Sequence, residues 1–146
     1  MLTPDTIRSH FDSRDIKYMQ SPDGDRFSAG WNCGRHRFGT EIVLMDDGEF
    51  VMFRTKDLRT VAPDHPGRAR LLERLNELTF KYRVVKFVID PSDGELMFTC
   101  EQWFREGMVS ADGFGQRYHG FIRAIETGLD VALECLDEAD PARKAC

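Results

Sequence analysis

The chain has 146 residues, 41% of them hydrophobic and 31% charged, with a formal net charge of −5 and an isoelectric point near 5.4. That length supplies the core of about one domain, expected over residues 1–146, and the composition is too apolar for a disordered chain. The negative balance repels phosphate backbones and anionic headgroups on average, which disfavours direct nucleic-acid binding and membrane partners.

Thr3-Pro4-Asp5 opens a helix: Thr can cap orphan amides, Pro is preorganised at the first helical position, and Asp suits the positive end of the dipole. This helix is expected to run to about Ser13, with Ile7 and Phe11 as a thin apolar stripe that must dock on a sheet. Short strands are expected over Ile16 to Gln20 and Arg26 to Asn32, separated by the turn Ser21-Pro22-Asp23-Gly24-Asp25. An Arg-rich polar connection, Gly34 to Gly39, then leads into a strand from Thr40 to Met45, a turn at Asp46 to Glu49, and a return strand from Phe50 to Thr55.

Asp64-His65-Pro66 announces the central helix, in which Leu71, Leu75, Leu78 and Tyr82 keep a helical stripe that Leu72 widens. A second hairpin, Val84 to Cys100, turns at Asp93-Gly94-Glu95 and alternates Val85, Phe87 and Ile89, then Leu96, Phe98 and Cys100, on one face. Lys86 and Glu101 fall on the other. The final helix is expected from about Ser110 to about Glu138, with Tyr118, Ile122, Ile125, Leu129, Ala132 and Leu136 as its seam and Phe121 and Leu133 beside it. Gly113, Gly115, Gly120 and Gly128 weaken it by up to about 1 kcal/mol each, or permit a close crossing. Val43 to Phe53 resembles Val88 to Phe98, but the shared turn chemistry explains this without a duplication. The expected fold class is α+β, an antiparallel sheet packed against helices in the order α-β-β-β-α-β-β-α, one early strand being short.

Motifs for chemistry do not assemble. No basic-then-apolar leader follows Met1 and no stretch approaches the roughly 18 apolar residues of a membrane span, so a cytoplasmic protein is expected. Cys33, Cys100, Cys135 and Cys146 are scattered, as suits reduced thiols, with Cys100 and Cys135 in the core and Cys146 exposed. Counted from Asp90, Gly94 arrives one place too early for an EF-hand loop, and Cys33 with His36 supplies half of a zinc site without a matching pair. Gly113, Gly115 and Gly120 lack dinucleotide spacing. His10, His36, His65 and His119 have no recognisable nucleophile partner, and the turn carboxylates are explained by turn geometry. No metal, no cofactor and no catalytic residue is therefore assigned. Two features favour direct nucleic-acid binding, Arg35, His36 and Arg37 in the strand connection and Arg68, Arg70 and Arg74 on the central helix, and Arg26, Phe27 and Trp31 would add stacking.

Leu75-Asn76-Glu77-Leu78, Lys86-Phe87, Asp90, Asp93-Gly94-Glu95-Leu96 and Phe114 near the start of the last helix resemble the YbjN-like family of bacterial sensory-transduction regulators. The likeness is clearest from Leu71 to Leu136. It implies a fold like that of type III secretion chaperones, small acidic proteins that commonly dimerise and hold segments of other proteins. It carries no catalytic residues. The sequence departs from the family pattern in its Gly-rich entry to the last helix and in Trp103-Phe104. The resemblance thus implies a non-enzymatic protein-binding regulator or chaperone-like adaptor, in stress response or regulation, with an unidentified protein partner. Direct nucleic-acid binding is the alternative, and small-molecule sensing or enzymatic activity comes after it. Trp31, Trp103 and Phe104 are the candidate protein-binding residues, and the chain itself, as a homodimer, is the other expected partner.

Overall fold

A computed structural model describes residues 1–104 and 110–137. Cys146 and the expected helix end at Glu138 lie outside the described residues. In chain order the elements are α1 (Pro4–Asp12), β1 (Tyr18–Gln20), β2 (Arg26–Cys33), β3 (His36–Met45), β4 (Phe50–Lys56), α2 (Arg68–Tyr82), β5 (Val85–Ile89), β6 (Leu96–Trp103) and α3 (Ala111–Asp137). The six strands form one antiparallel sheet in the order β1-β2-β3-β4-β6-β5. The α+β class is as expected. The order differs by one strand: the short β1 pairs with Phe27 to Ala29 of β2, so four strands precede α2.

Local chemistry accounts for the ends of these elements. Thr3 Oγ1 accepts the Thr6 N–H at 3.3 Å with Pro4 in the first turn, and Ser110 Oγ accepts the Gly113 N–H at 3.1 Å at the entry to α3. The Arg-rich connection expected from Gly34 to Gly39 is a strand for most of its length. Phe38 buries its ring, the β2–β3 ladder runs out to Cys33 opposite His36, and Gly34-Arg35 alone make the turn, with Gly34 at φ +58°. The Asp46 to Glu49 turn closes as one 3-10 turn with Asp46, Asp47 and Gly48 all at positive φ. Its Gly48 is fixed by a neighbour. A Cβ there would sit 2.0 Å from the Leu2 carbonyl oxygen, while the Leu2 N–H bonds Gly48 O at 2.9 Å.

All three helices lie on one side of the sheet. Along β3 to β6 the residues facing them are Phe38, Thr40, Ile42 and Leu44, then Val51, Phe53 and Thr55, then Val85, Phe87 and Ile89, and Leu96, Phe98 and Cys100, every one buried. α3 crosses this face with Phe114, Tyr118, Phe121, Ile122 and Ile125, and Phe53 alone meets three of its rings at centroid distances between 5.3 and 6.0 Å. Phe11 of α1 reaches the same cluster through Tyr18, Phe27 and Tyr118. Cys100 and Cys135 are buried, as the sequence suggested. α2 buries Leu71, Leu75 and Leu78 and guards edge strand β5, where Thr79 Oγ1 accepts the Phe87 N–H at 3.1 Å. Leu72 does not widen the core stripe. It is 45% exposed, because one turn of α2 cannot face both the sheet and α3 over its whole circumference.

Glycine in the middle of α3 follows from how closely that helix approaches the sheet. A Cβ on Gly128 would lie 2.6 Å from Phe98 Cε2 and 2.7 Å from its Cζ, with Phe98 fully buried. Gly128→Ala therefore forces the helix off the sheet or Phe98 out of its rotamer. The expected cost is about 1–3 kcal/mol, read as a lower urea midpoint at unchanged slope.

Candidate functional site

Alternation along the strands decides which side chains reach the face without helices. Besides the pairs Asn32–Arg37 and Val88–Met97, four registered rows cross that face among the described residues. Met45, Phe50 and Trp103 stand side by side on β3, β4 and β6. Next come Arg26, Val43, Met52 and Glu101 on β2, β3, β4 and β6. The third row runs Met19, Ser28, Glu41, Arg54, Thr99 and Lys86, and the fourth is Gly30, Gly39 and Lys56.

The apolar members of the first two rows make a patch. Phe50 and Trp103 pack ring to ring at 4.9 Å with a 54° tilt, Trp103 remains 51% exposed, and Met45 and Met52 are half-buried beside them. A charged belt borders the patch. Arg54 Nε donates to Glu41 Oε2 at 2.6 Å with the second guanidinium nitrogen on the same oxygen, Lys56 Nζ lies 3.9 Å from Glu41 Oε1, and Lys86 meets Glu101 at 2.9 Å. Beyond the belt the paired glycines leave a shallow cavity of about 320 Å³ walled by Lys17, Met19 and Lys56. The face thus has grease at one end and fixed charges across its middle.

The three residues singled out from sequence do not come together. Trp103 is on the helix-free face. Phe104, its neighbour, turns to the opposite side, is fully buried beneath the Arg117 guanidinium at 5.2 Å, and donates its N–H to Glu49 O at 2.6 Å. Its ring belongs to the core, which corrects its selection as a contact residue. Trp31 lies on the helix side at the far end of β2, half-buried edge-on against Tyr118 at 5.7 Å and His119 at 5.9 Å. Its Nε1–H donates to Thr40 Oγ1 at 2.9 Å, and that oxygen shares a 2.7 Å hydrogen bond with Tyr118 Oη. Burial pushes the Tyr118 hydroxyl up to about 12, so it stays neutral and serves as a hydrogen-bonding group. Sequence reading missed Met45, Phe50 and Met52. The available signal was the unbroken apolar run Phe50-Val51-Met52-Phe53, which a strand wet on one face would not show.

The arginine clusters that favoured nucleic acid are largely engaged within the fold. Arg35 Nη2 and His36 Nε2 both lie 2.7 Å from Asp130 Oδ1, and their hydrogen bonds hold that carboxyl below its usual range. Arg70 meets Glu134 at 2.5 Å, Arg74 meets Glu77 at 2.7 Å, and Arg68 donates to Val61 O at 2.9 Å. Guanidinium groups so paired give little net field to steer phosphate, though Arg37 stands exposed opposite Asn32. Among the described residues no three His, Cys, Asp or Glu side chains converge to hold a metal ion, and no helix is long and apolar enough to cross a membrane.

Comparison with known proteins bears on the whole chain. The family model named YbjN, described as "Putative bacterial sensory transduction regulator", matches residues 3–138. A solved structure titled "Crystal Structure of the ExsC-ExsE Complex" is similar at 12% sequence identity and a TM-score of 0.48, over 97% of this chain and 90% of that one. No curated protein matches the chain.

The Trp31–Thr40–Tyr118 chain ties the end of β2 to α3 through one hydroxyl. Thr40→Val keeps the shape and deletes that oxygen, leaving a fully buried phenol without its partner. We expect a loss of about 1–3 kcal/mol in denaturant melts, and a smaller added loss when Tyr118→Phe is combined with it.

Proposed function

The chain belongs to the YbjN family, and on that premise we propose that it is a non-enzymatic protein-binding regulator or chaperone-like adaptor, a cytoplasmic protein acting as one domain in stress response or regulation. The observation that carries this reading is the Met45–Phe50–Met52–Trp103 patch on a sheet face that no helix covers among the described residues. An open sheet presents such a patch at little cost when another polypeptide buries it, and methionines with aromatics adapt to several partner side chains. The Glu41–Arg54 pair beside it supplies fixed charges that set the orientation of a bound segment. Of the sequence-selected residues, Trp103 is the proposed contact on this face; Trp31, on the other side, would serve a separate one.

Self-association is proposed through a different surface. Leu72 and Phe80 lie eight residues apart on α2, 45% and 85% exposed, and Val84 just beyond the helix is 59% exposed. Arg83 between them holds φ +61° and ψ −49°, with a 2.6 Å hydrogen bond from the Val84 N–H to Tyr82 O, so a rare positive-φ γ-turn presents Val84 outward. Exposed Glu73 and Lys81 give this side of α2 charges of both signs, which a second copy of the same helix can match about a twofold axis.

Affinity capture from the native host with mass spectrometry tests the first surface. A reproducible protein partner should be retained by the parent chain and weakened at least tenfold, about 1.4 kcal/mol, by Phe50→Asp with the fold intact by circular dichroism. A bound metabolite in its place, or capture indifferent to Phe50→Asp, would defeat the reading. For the second surface, light scattering at tens of micromolar should give twice the chain mass for the parent protein and the single mass for Phe80→Glu.

A further inference from the structure

We propose that the pair His10–His119 is an acid-released latch that holds helix α1 on helix α3. His10 lies in the last turn of α1 and is 5% exposed; its Nε2 lies 3.2 Å from Nε2 of His119, half-buried on α3. Two imidazoles at that separation share one hydrogen bond, in which one Nε2 carries the proton and the other must be bare. With one ring protonated its Nε2–H can still donate to the bare Nε2 of the other, but once both rings are protonated two N–H groups point at each other and two cations are in contact. The latch therefore holds with at most one of the two rings charged.

The surroundings oppose even that first charge. Arg14, just beyond α1, and Arg123 on α3 are the nearby cations, Asp5 and Asp112 line the cavity beside His10, and β2 contributes the uncharged Trp31 edge-on to His119. Phe114 meets the His10 ring edge-on at 5.1 Å, and a Cβ on Gly115 would be 2.7 Å from His10 Cε1, so the ring has no room to withdraw along α3. Burial, then Arg14, then His119 lower His10 from 6.5 to about 4, and burial first, then Arg14 and Arg123, lower His119 too. The unfolded chain thus binds more protons than the folded one between about pH 4 and the ordinary histidine value of about 6.5. Stability from the pair is complete above that window and declines as pH falls through it. Release of α1 withdraws Ile7 and Phe11, both fully buried, and bares the Phe27 and Tyr118 rings that Phe11 covers. Acid in this way converts a helix seat into apolar surface.

Hydrogen exchange on the full chain, corrected for the intrinsic pH dependence of exchange, tests this between pH 7 and pH 4.5. We expect amides of α1 to lose roughly tenfold or more of their protection while those of β3 and β4 keep theirs. His10→Gln, which retains a donor and an acceptor but does not titrate, should flatten the α1 response. In the unmodified chain, imidazole NMR should place His10 well below the ordinary histidine range. Loss of protection across α1 and the central strands together, or an α1 response unchanged in His10→Gln, would overturn the latch. So would a His10 ring titrating at its ordinary value, a readout that stands even if the variant fails to fold.

Discussion

One constraint organises this molecule: the long helix α3 must seat its aromatic seam on one face of the sheet, and every helix follows it to that side. Phe114, Tyr118 and Phe121 surround Phe53, and Gly128 lets the same helix touch Phe98 further along. Burial of several aromatic rings at about 25 cal/mol per Å² of apolar area outweighs any local preference of the helix, including its four internal glycines. α1 and α2 then fill the space on either side, and among the described residues no helix lies on the opposite face of the sheet.

That asymmetry gives the protein its candidate function. In an antiparallel sheet with one covered face, the other is ordinarily polar. Here one end of the uncovered face instead carries Met45, Phe50, Met52 and Trp103, next to a belt of ion pairs from Glu41 to Lys86. This surface is what the proposed recognition of other polypeptides rests on. The charge pattern agrees: four of the six residues in the arginine clusters spend their guanidinium or imidazole groups on acceptors of the chain itself, and a fifth, Arg74, pairs along its own helix.

The buried polar groups have two different roles. Thr40 and Tyr118 form a neutral network that stays hydrogen-bonded across any ordinary pH, since the phenol is driven far upward. His10 and His119 form one that depends on protonation, because imidazole titrates within reach of biological pH and a shared hydrogen bond needs one nitrogen bare. Both join α3 to the rest, one through the sheet and one through α1, so the same helix carries a permanent tie and a conditional one.

Much of the architecture was legible in the linear chain, because period and turn chemistry are local. Thr3-Pro4-Asp5 capped α1, the alternation of Val85, Phe87 and Ile89 with Leu96, Phe98 and Cys100 gave the buried face of the second hairpin, and Tyr118 to Leu136 gave the seam of α3. What tertiary structure alone decided was which side of a strand meets helices and which groups distant in sequence become neighbours. Phe104 is buried and Trp103 is 51% exposed, since adjacent strand residues point opposite ways and only packing assigns the faces. Phe50 and Trp103, or His10 and His119, are partners across long separations that leave no periodic trace. Their meeting follows from the ladder register and from helix docking, and those are set by burial summed over the whole chain rather than by any short run of residues.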